Sequence, residues 1–406
     1  MSLNNEIHRF WSLDEIGIAE KESSVYDKFR NDIKIQDERY SVKLPIKEYH
    51  PVLPDNYDLS LKRLQALKLR LANDEILLRK YDQIFQDQFN EGIIEEVSSE
   101  GFIGSTTYLP HKEVVKNESS TTKVRIVFDA SAKLKNEVSL NDILYTGPCL
   151  NPELYKLLLQ FRLYPIAITA DIEKAYLQIN VEKEDRDYLR FLWFNNLFSD
   201  EETSIVKYRF TRVIFGATCS QFLLNITVEN HIGKYIDTDP DFVKKVKGKF
   251  YVDDLNTGVN TVLEGINLCK KLKVRFQEVQ FNLRKWRTNS QELRDFLALF
   301  NANDETVYSK VNSDNVNIKT VNSDNVNTKL VPNNRYAKVL GIEWDDIRDK
   351  LVFRLNEIFK DAADIQPTKR NILSIISTIY DPVGYLQPVT IQLKILFQEI
   401  CKLNVG

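Results

Sequence analysis

Three aspartates have the residue type and the spacing that most directly suggest chemistry in this sequence. Asp253 and Asp254 are adjacent in the stretch FYVDDL, and Asp171 ends the apolar run IAITAD far upstream. Mg²⁺ prefers carboxylate oxygens and keeps waters and substrate phosphates as further ligands. Two such ions about 4 Å apart can clamp both oxygens of an in-line phosphoryl transfer. The three acids therefore indicate a two-metal site, provided that the fold brings them together.

The acidic pair has two other interpretations. The first is an ordinary acidic turn, which is what most isolated Asp-Asp pairs are. The second is a calcium loop that begins at Asp254, but Gly258, Val259 and Gly265 then occupy its fifth, sixth and twelfth positions. The oxygens and the glycine that an EF-hand requires are missing, so this interpretation is rejected. The turn also lacks Asn-Gly or Asp-Gly, which predicts local backbone strain at a functional site.

The elements around the acids follow from hydrophobic patterning. Residues 166–171 predict a buried strand with a carboxylate at its C-terminal end, 171–179 predict a helix, and 249–259 predict a hairpin. Further segments predict helices at 59–89, 216–231, 261–281, 368–380 and 390–403, a strand at 207–214, and a hairpin from 339–344 and 350–354. The pattern predicts an α+β fold with helices packed on a small antiparallel sheet.

Composition narrows the class of protein. The 406 residues fit two or three subdomains, and 55 basic against 58 acidic residues give a net charge of −3. No global field attracts nucleic acid, but basic clusters at 207–212, 244–249 and 270–275 are either solvated faces or the lining of a cleft. The four cysteines form no CxxC pair, so a zinc site is not expected. The protein is expected to reside in a reducing compartment. We see no signal peptide and no membrane span.

The sequence resembles a known family at the acids and beyond them. FYVDDL, with DIEKAYLQI upstream, resembles the palm of a reverse transcriptase. The other matching stretches resemble the Pao (BEL/Pao) class of long-terminal-repeat retrotransposon polyproteins, and they occur in family order from residue 8 to residue 388. They are HRFWSLDEIGI, YLPHKEVVK, TTKVRIVFDASAK, SLNDILYTGP, RFTRVIFGATCSQF, FNLRKWRTNS, KVLGIEWD and KRNILSIISTIYDPVGYLQP.

The resemblance implies a right-hand polymerase fold, with fingers, palm and thumb around a primer–template duplex. We expect a partly helical N-terminal extension (1–90), fingers (91–165) and a palm with the acids (166–300), part of 181–212 belonging to the fingers. A low-complexity insertion (301–334) comes next and contains the duplication VNSDNVNIKT and VNSDNVNTKL. It is followed by a primer-contacting hairpin at the end of the palm (335–360) and by a truncated thumb or connection (361–406).

The resemblance also implies catalytic roles. Asp171 and Asp253 would hold two Mg²⁺ ions, with Mn²⁺ as a substitute, and Asp254 would complete the metal-binding cluster. The primer 3′-hydroxyl would then attack the α-phosphate of a deoxynucleoside triphosphate. Lys285, in LRKW, matches a lysine proposed to protonate the leaving pyrophosphate, although a plain surface lysine is the alternative.

Further positions match the family's substrate contacts. Arg125 and Lys123 would grip the triphosphate, with Asp129 ordering the fingers, and Tyr176 would exclude ribonucleotides unless it is simply a core tyrosine. Phe215-Gly216 resembles the nucleotide-pocket element, and Gln221 stands where the family usually has the proline of Ser-Pro-Phe. The nucleic-acid contacts would be Tyr251, Leu340, Gly341, Lys369 and Arg370.

The implied partners are an RNA or DNA template with its primer, deoxynucleoside triphosphates, and the protease, ribonuclease H and integrase parts of a polyprotein. No peptidase or ribonuclease H activity is expected from this segment. The implied location is the cytoplasm, within a virus-like particle, with the nucleus as an alternative. Two rival functions stay open, namely an inactive retroelement fragment that still binds nucleic acid and an interaction protein in which the acids are incidental.

Overall fold

The computed structural model describes residues 26–27, 29–97, 101–115, 124–198, 202–302, 336–356, 358, 360 and 365–403. Lys123 and the duplicated segment 311–330 lie outside these ranges, so their predicted roles stay predictions. Within the described ranges, no helix combines the length and the apolar character that crossing a bilayer requires.

The chain alternates short strands and helices. The strands are β1 Lys34–Gln36, β2 Arg39–Val42, β3 Ile94–Glu96, β4 His111–Val115, β5 Val124–Phe128, β6 Ile166–Ile172, β7 Asn180–Val181, β8 Arg190–Phe194, β9 Ile205–Phe210, β10 Phe250–Tyr251, β11 Asp254–Val259, β12 Leu283–Thr288, β13 Ala337–Val339, β14 Ile342–Asp345 and β15 Lys350–Val352. The helices are α1 Tyr57–Leu71, α2 Glu75–Asn90, α3 Leu140–Ile143, α4 Leu154–Phe161, α5 Ser220–Gly233, α6 Pro240–Val246, α7 Val262–Gln277, α8 Gln291–Ala302, α9 Lys369–Thr378 and α10 Gln387–Lys402.

Two compact units make up the fold. Unit 1 comprises Met1–Leu150, Glu173–Asp239 and Arg275–Asn282, and unit 2 comprises Asn151–Ile172, Pro240–Val274 and Leu283–Gly406. Both units mix helices with small sheets that are almost entirely antiparallel, which confirms the predicted α+β class. The finer division into extension, fingers, palm, insertion and thumb stays a prediction.

Unit 1 contains three small sheets, in the orders β1-β2-β7, β3-β9-β8 and β4-β5. Its core includes a cluster of buried rings in which Tyr81 stacks on Trp193 at 4.9 Å and Phe85 stacks on Phe191 at 5.0 Å. The helical pattern predicted over 59–89 is interrupted before α2, because the Asp74 carboxylate accepts a hydrogen bond from the Leu77 amide at 3.0 Å and caps a new helix.

Unit 2 carries the four-stranded antiparallel sheet β10-β11-β6-β12, with β6 in its interior, and the three-stranded sheet β13-β14-β15. A buried apolar cluster contains side chains of α4, β6, β13 and β14, among them Phe161 and Trp344, whose rings meet edge-on at 5.1 Å. This core packs against β6 through Ala167, so Asp171 lies at the end of a strand that the core holds in place.

The predicted hairpin over 249–259 and the buried strand ending near Asp171 are confirmed. Three other predictions were wrong in detail. A short 3₁₀ helix, Ala175–Gln178, replaces the helix predicted after Asp171, since Lys174 has a left-handed backbone that interrupts it. The stretch VLGIEW is two strands joined by a turn at Leu340–Gly341. Helix α10 begins at Gln387, because a proline is tolerated in a first helical turn.

Candidate active site

Strand register brings the acids together. In the sheet of unit 2, Asp171 on β6 lies directly opposite Asp254 on β11. Residues opposite each other in such a pair have their Cβ atoms about 5 Å apart on the same face. Asp253 occupies the hairpin tip, and its carbonyl oxygen accepts a hydrogen bond from the Ile172 amide at 2.9 Å. Carboxylates distant in sequence therefore meet at one end of the sheet.

The backbone is strained at two points beside the acids. Val252 has φ of 58° and Lys285 has φ of 52°, both in the left-handed region, which is unfavourable for a β-branched residue such as valine. The strain predicted for a tip without glycine is thus confirmed. The Val252 amide donates to the Asn151 side chain at 3.3 Å, which helps to hold the tip. Strain of this kind persists where the surrounding structure imposes it, and it concentrates at functional sites.

Positive charge already sits on Asp171. The Lys285 ammonium donates to Asp171 Oδ2 at 2.8 Å, and Arg284 Nε lies 3.7 Å from the same oxygen. The other carboxylate oxygen, Asp171 Oδ1, is buried and has no hydrogen-bond partner among the described residues. A buried carboxylate oxygen without a partner is costly, so its presence indicates a position intended for a ligand.

Crowding of like charges changes the acidity of the pair. Desolvation, followed by repulsion from Asp253 and Asp171, raises the pKa of Asp254 to about 7, and Lys285 opposes the shift. Asp254 nevertheless keeps part of its surface exposed to solvent. A bound cation would remove that repulsion and favour the ionised form.

The acids fit a magnesium site that a substrate completes. No group of three or more His, Cys, Asp or Glu side chains within the described ranges forms a finished cation cage. Mg²⁺, however, is usually held by one or two carboxylates together with substrate phosphates and water. The opposed pair Asp171 and Asp254, the neighbouring Asp253 and the unpartnered Asp171 oxygen supply oxygen donors of the right kind.

In unit 1, the structure brings together two of the predicted nucleotide-pocket residues. The rings of Tyr176 and Phe215 meet edge-on at 4.4 Å. Tyr176 is buried in the 3₁₀ helix, whereas Phe215 is 53% exposed. The contact with Phe215 therefore restricts the position of the Tyr176 ring. A residue that discriminates between substrates by their size requires such a fixed position.

Gly216 occupies a position that excludes larger residues. Its φ is 107°, and a Cβ atom there would lie 2.3 Å from the Phe128 carbonyl oxygen. Its own carbonyl oxygen accepts a hydrogen bond from the Asn141 side chain at 3.0 Å, and the Thr218 amide donates to Asn141 Oδ1 at 2.9 Å. The loop is therefore closely packed against the end of β5 and is held in shape by Asn141.

The other predicted nucleotide contacts are more dispersed within unit 1. Arg125 is exposed on β5, opposite Val114 in the β4–β5 hairpin. Asp129 pairs with Arg63 at 2.7 Å just beyond that hairpin. Gln221 is exposed in the first turn of α5.

The predicted nucleic-acid contacts in unit 2 differ in accessibility. Leu340 is buried and Gly341 is exposed, and the Tyr380 hydroxyl donates to the Leu340 carbonyl at 3.0 Å. Tyr251, next to the acidic tip, packs partly against the buried core of this unit. Lys369 and Arg370 open α9, where Arg370 is exposed and Lys369 is half-buried. Gly341 rather than the Leu340 side chain is the part of the turn that a ligand could reach.

Sequence reasoning missed residues that position the site. Asn141 and Asn151 hold the Gly216 loop and the acidic tip, and Arg284 lies in register with Asp171. One signal was available for Asn141, because the stretch SLND contains the capping box that Ser139 and Asp142 form around α3. Nothing in the sequence indicated the role of Asn151.

Part of the basic cluster at 207–212 forms ion pairs within unit 1. Arg209 pairs with Asp187 and with Glu95, each at 2.7 Å. In the cluster at 270–275, Arg275 pairs with Asp239 at 2.9 Å. These residues of the clusters therefore neutralise neighbouring carboxylates and are not a free basic lining.

Comparison with known families agrees with the site. Residues 116–299 match the family described as reverse transcriptase (RNA-dependent DNA polymerase), and this range includes all three acids. Residues 368–406 match the family described as Pao retrotransposon-like RNaseH-like domain. Together the two matches support the resemblance of these segments to the reverse transcriptase region of a Pao-type retrotransposon. No curated protein matches the sequence significantly.

Two solved structures are similar to the chain over most of its length. One is the foamy viral protease-reverse transcriptase dRH in complex with ds DNA, at 12% identity and a TM-score of 0.48, covering 95% of this chain and 56% of that one. The other is the foamy viral protease-reverse transcriptase in complex with RNA/DNA hybrid, at 13% identity and a TM-score of 0.49, covering 93% and 43%. The chain thus spans about half the length of these proteins.

The second family match corrects part of a prediction. No ribonuclease H activity is predicted from this segment, yet residues 368–406 match a family described as Pao retrotransposon-like RNaseH-like domain. The expectation rested on a missing acid cluster, since Asp381 and Glu399 are the segment's two acids. The Asp381 carboxylate accepts hydrogen bonds from the amides of Gly384, Tyr385 and Leu386, so it stabilises a turn.

Proposed function

We propose that the chain is an RNA-directed DNA polymerase, which transfers a deoxynucleotide from its triphosphate to a primer 3′-hydroxyl and releases pyrophosphate. The register of Asp171 against Asp254, with Asp253 at the adjoining tip, is the observation that carries the proposal. Acids from one strand end and one hairpin tip provide the converging carboxylates that two-metal nucleotidyl transfer requires. The family match over residues 116–299 supports the same reaction class.

The side chains have distinct tasks in this proposal. Asp171 and Asp253 hold the Mg²⁺ ions, and Asp254 adds the third carboxylate. When bound, Mg²⁺ stabilises the negative charge that develops on the phosphate oxygens. Lys285, which contacts Asp171 Oδ2, donates a proton to the departing pyrophosphate in this proposal. The rigid strand and the strained tip keep the carboxylates in position before substrate arrives.

The substrate contacts form a second part of the proposal. Arg125 and Lys123 bind the triphosphate, Tyr176 on its Phe215 support excludes ribose, and Gly216 and Gln221 border the base pair. Tyr251, Leu340 (through its backbone), Gly341, Lys369 and Arg370 contact the primer–template. A template of RNA or DNA, deoxynucleoside triphosphates and the remaining polyprotein domains are the partners. The cytoplasmic particle of the element is the location.

Primer extension tests the proposal. The protein is given an RNA template, an annealed DNA primer and deoxynucleoside triphosphates, with Mg²⁺ or with a chelator, and a DNA template is run in parallel. The proposal requires Mg²⁺-dependent extension on RNA. Duplex binding without incorporation in Mg²⁺ or Mn²⁺ would instead favour a nucleic-acid-binding remnant, and failure to bind the duplex would favour an interaction protein.

A further inference from the structure

A row of polar residues crosses the sheet β1-β2-β7 of unit 1. Ser41 on β2 pairs with Asn180 on β7, and Asn180 forms a bridge to Arg212 on its other side. Residues opposite each other on neighbouring strands have their side chains on the same face, as do residues two apart along a strand. Arg39, Asn180 and Arg212 therefore share one face.

Arg212 is a charged group without compensation on this face. Its Nε and Nη1 atoms are buried and have no hydrogen-bond partner among the described residues. Desolvation and the nearby positive charges of Arg39 and Arg186 lower the pKa of Arg212 to about 10, so it still carries its charge at neutral pH. A largely buried guanidinium close to two other positive charges is costly unless an anion compensates it.

The acids near these groups are paired elsewhere: Glu91, which lies close enough to Arg39 to interact with its charge, pairs with Lys174 at 3.1 Å. Arg39 donates to the neutral side chain of Gln178 at 2.6 Å. Arg186 donates to the Val181 carbonyl at 3.0 Å and to Glu95 at 3.4 Å, and Glu95 is shared with Arg209. The face thus presents two guanidinium groups and a side-chain amide. Arg212 remains partly exposed, so the face is open to a ligand.

We propose that Arg39, Asn180 and Arg212 form a binding site for a phosphate group, separate from the catalytic acids. Guanidinium forks bind carboxylate and phosphate in the same bidentate manner. Two forks and an amide present more donors than the two oxygens of a carboxylate can accept, whereas a phosphate offers additional acceptor oxygens. The phosphate comes from a nucleic-acid backbone or from a free nucleotide or pyrophosphate, and the site does not depend on the polymerase activity.

The test compares Arg212→Met with a control, Arg79→Met, which removes an exposed arginine of the same unit that pairs with Glu75 on its own helix and lies over the Phe198 ring. Without divalent metal, each protein is titrated with inorganic pyrophosphate, followed by thermal unfolding, and with a labelled DNA duplex, followed by anisotropy. We expect Arg212→Met to lose roughly ten- to a hundredfold in affinity in at least one arm, and the control less than about twofold.

The two arms identify the source of the phosphate. A loss confined to pyrophosphate assigns a nucleotide phosphate, and a loss with the duplex, with a salt slope lower by about one, assigns a backbone phosphate. In phosphate-free buffer Arg212→Met should be at least as stable as the wild type, because an uncompensated charge is removed. Unchanged affinity in both arms, or a clear loss of stability in phosphate-free buffer, would overturn the proposal. Arg39→Gln should reproduce the affinity loss, which keeps the test valid if Arg212→Met does not fold.

Discussion

Asp171 meets a positive charge on one side and a negative charge on the other. Arg284 is its register partner on β12, and Asp254 is its partner on β11. Lys285 compensates the charge of the Asp171 carboxylate through its 2.8 Å contact. The residue that holds a cation in the proposed reaction therefore already holds an ammonium group, and the two cations compete.

Removal of that competitor should strengthen metal binding. In Lys285→Gln, we expect the affinity for Mn²⁺ to rise about two- to fivefold, because Lys285 is half-exposed and such ion pairs contribute about 1 kcal/mol at most. The free Mn²⁺ signal in electron paramagnetic resonance measures this directly. Lys244→Gln, an exposed lysine of the same unit, is the control. Weaker binding in Lys285→Gln would show that the lysine supports the metal site.

Tyr176 tests the proposed exclusion of ribose. Tyr176→Val removes a buried ring that rests on Phe215, so a 2′-hydroxyl should find space. We expect the ratio of ribonucleotide to deoxynucleotide incorporation to rise about tenfold or more, which corresponds to about 1.4 kcal/mol of discrimination. Single-nucleotide incorporation with paired substrates measures the ratio. A ratio that stays at the wild-type value would make Tyr176 a core residue only.

At the scale of elements, the predictions succeeded where the pattern was local. The apolar run before Asp171 and the two runs around Asp253 define strands by themselves, and the register between them follows from burial of β6. The 3₁₀ helix after β6 was missed, because the left-handed backbone of Lys174 occurs at a residue that is not glycine and so leaves no sign in the sequence. For the same reason the strain at Lys285 was not predicted.

The loop before α5 should tolerate no side chain at Gly216. Gly216→Ala forces a Cβ atom against the Phe128 carbonyl oxygen in a left-handed backbone, so we expect a loss of about 2 kcal/mol or more in unfolding free energy. Gly233→Ala, at the end of α5, has open space and should be neutral or stabilising by up to about 1 kcal/mol. Urea unfolding compares the two. Equal effects would contradict the close packing of the loop.

A buried histidine links α2 to β4 and β8 and should make unit 1 sensitive to acid. The Tyr81 hydroxyl lies 2.6 Å from His111 Nδ1, and Nε2 lies 2.9 Å from the Leu192 carbonyl. Burial lowers the pKa of His111 to about 4, below its unfolded value, so the folded state binds fewer protons and stability falls as pH drops from about 6.5 towards 4.

We expect His111 to contribute roughly 1 kcal/mol of lost stability between about pH 7.5 and pH 5.5. Tryptophan fluorescence, to which Trp193 beside His111 contributes, can follow unfolding. His111→Gln should reduce this pH dependence by that amount, although His231, whose pKa burial also lowers to about 4, will keep a second contribution. Tyr81→Phe should lower stability while keeping the slope. An unchanged slope in His111→Gln would contradict the assignment.

At the scale of the whole molecule, the net charge does not indicate the function, whereas the arrangement of individual charges does. The net charge of −3 gave no indication of a nucleic-acid enzyme, because the basic clusters and the acids nearly cancel. The motif-bearing acids were identified from sequence, whereas the anchoring asparagines and the uncompensated Arg212 depend on pairings between segments far apart in the chain. Such pairings follow from tertiary packing and leave no local pattern.

The measurement that tests the central claim most directly is primer extension on an RNA template by Asp253→Asn and by a matched control, Asp241→Asn. Asp241 is an exposed acid of the same unit, in the first turn of α6. The proposed metal site predicts that Asp253→Asn loses roughly a thousandfold or more in incorporation rate, while Asp241→Asn extends the primer like the wild type. Wild-type extension by Asp253→Asn would contradict the assignment of the acidic tip as the catalytic centre.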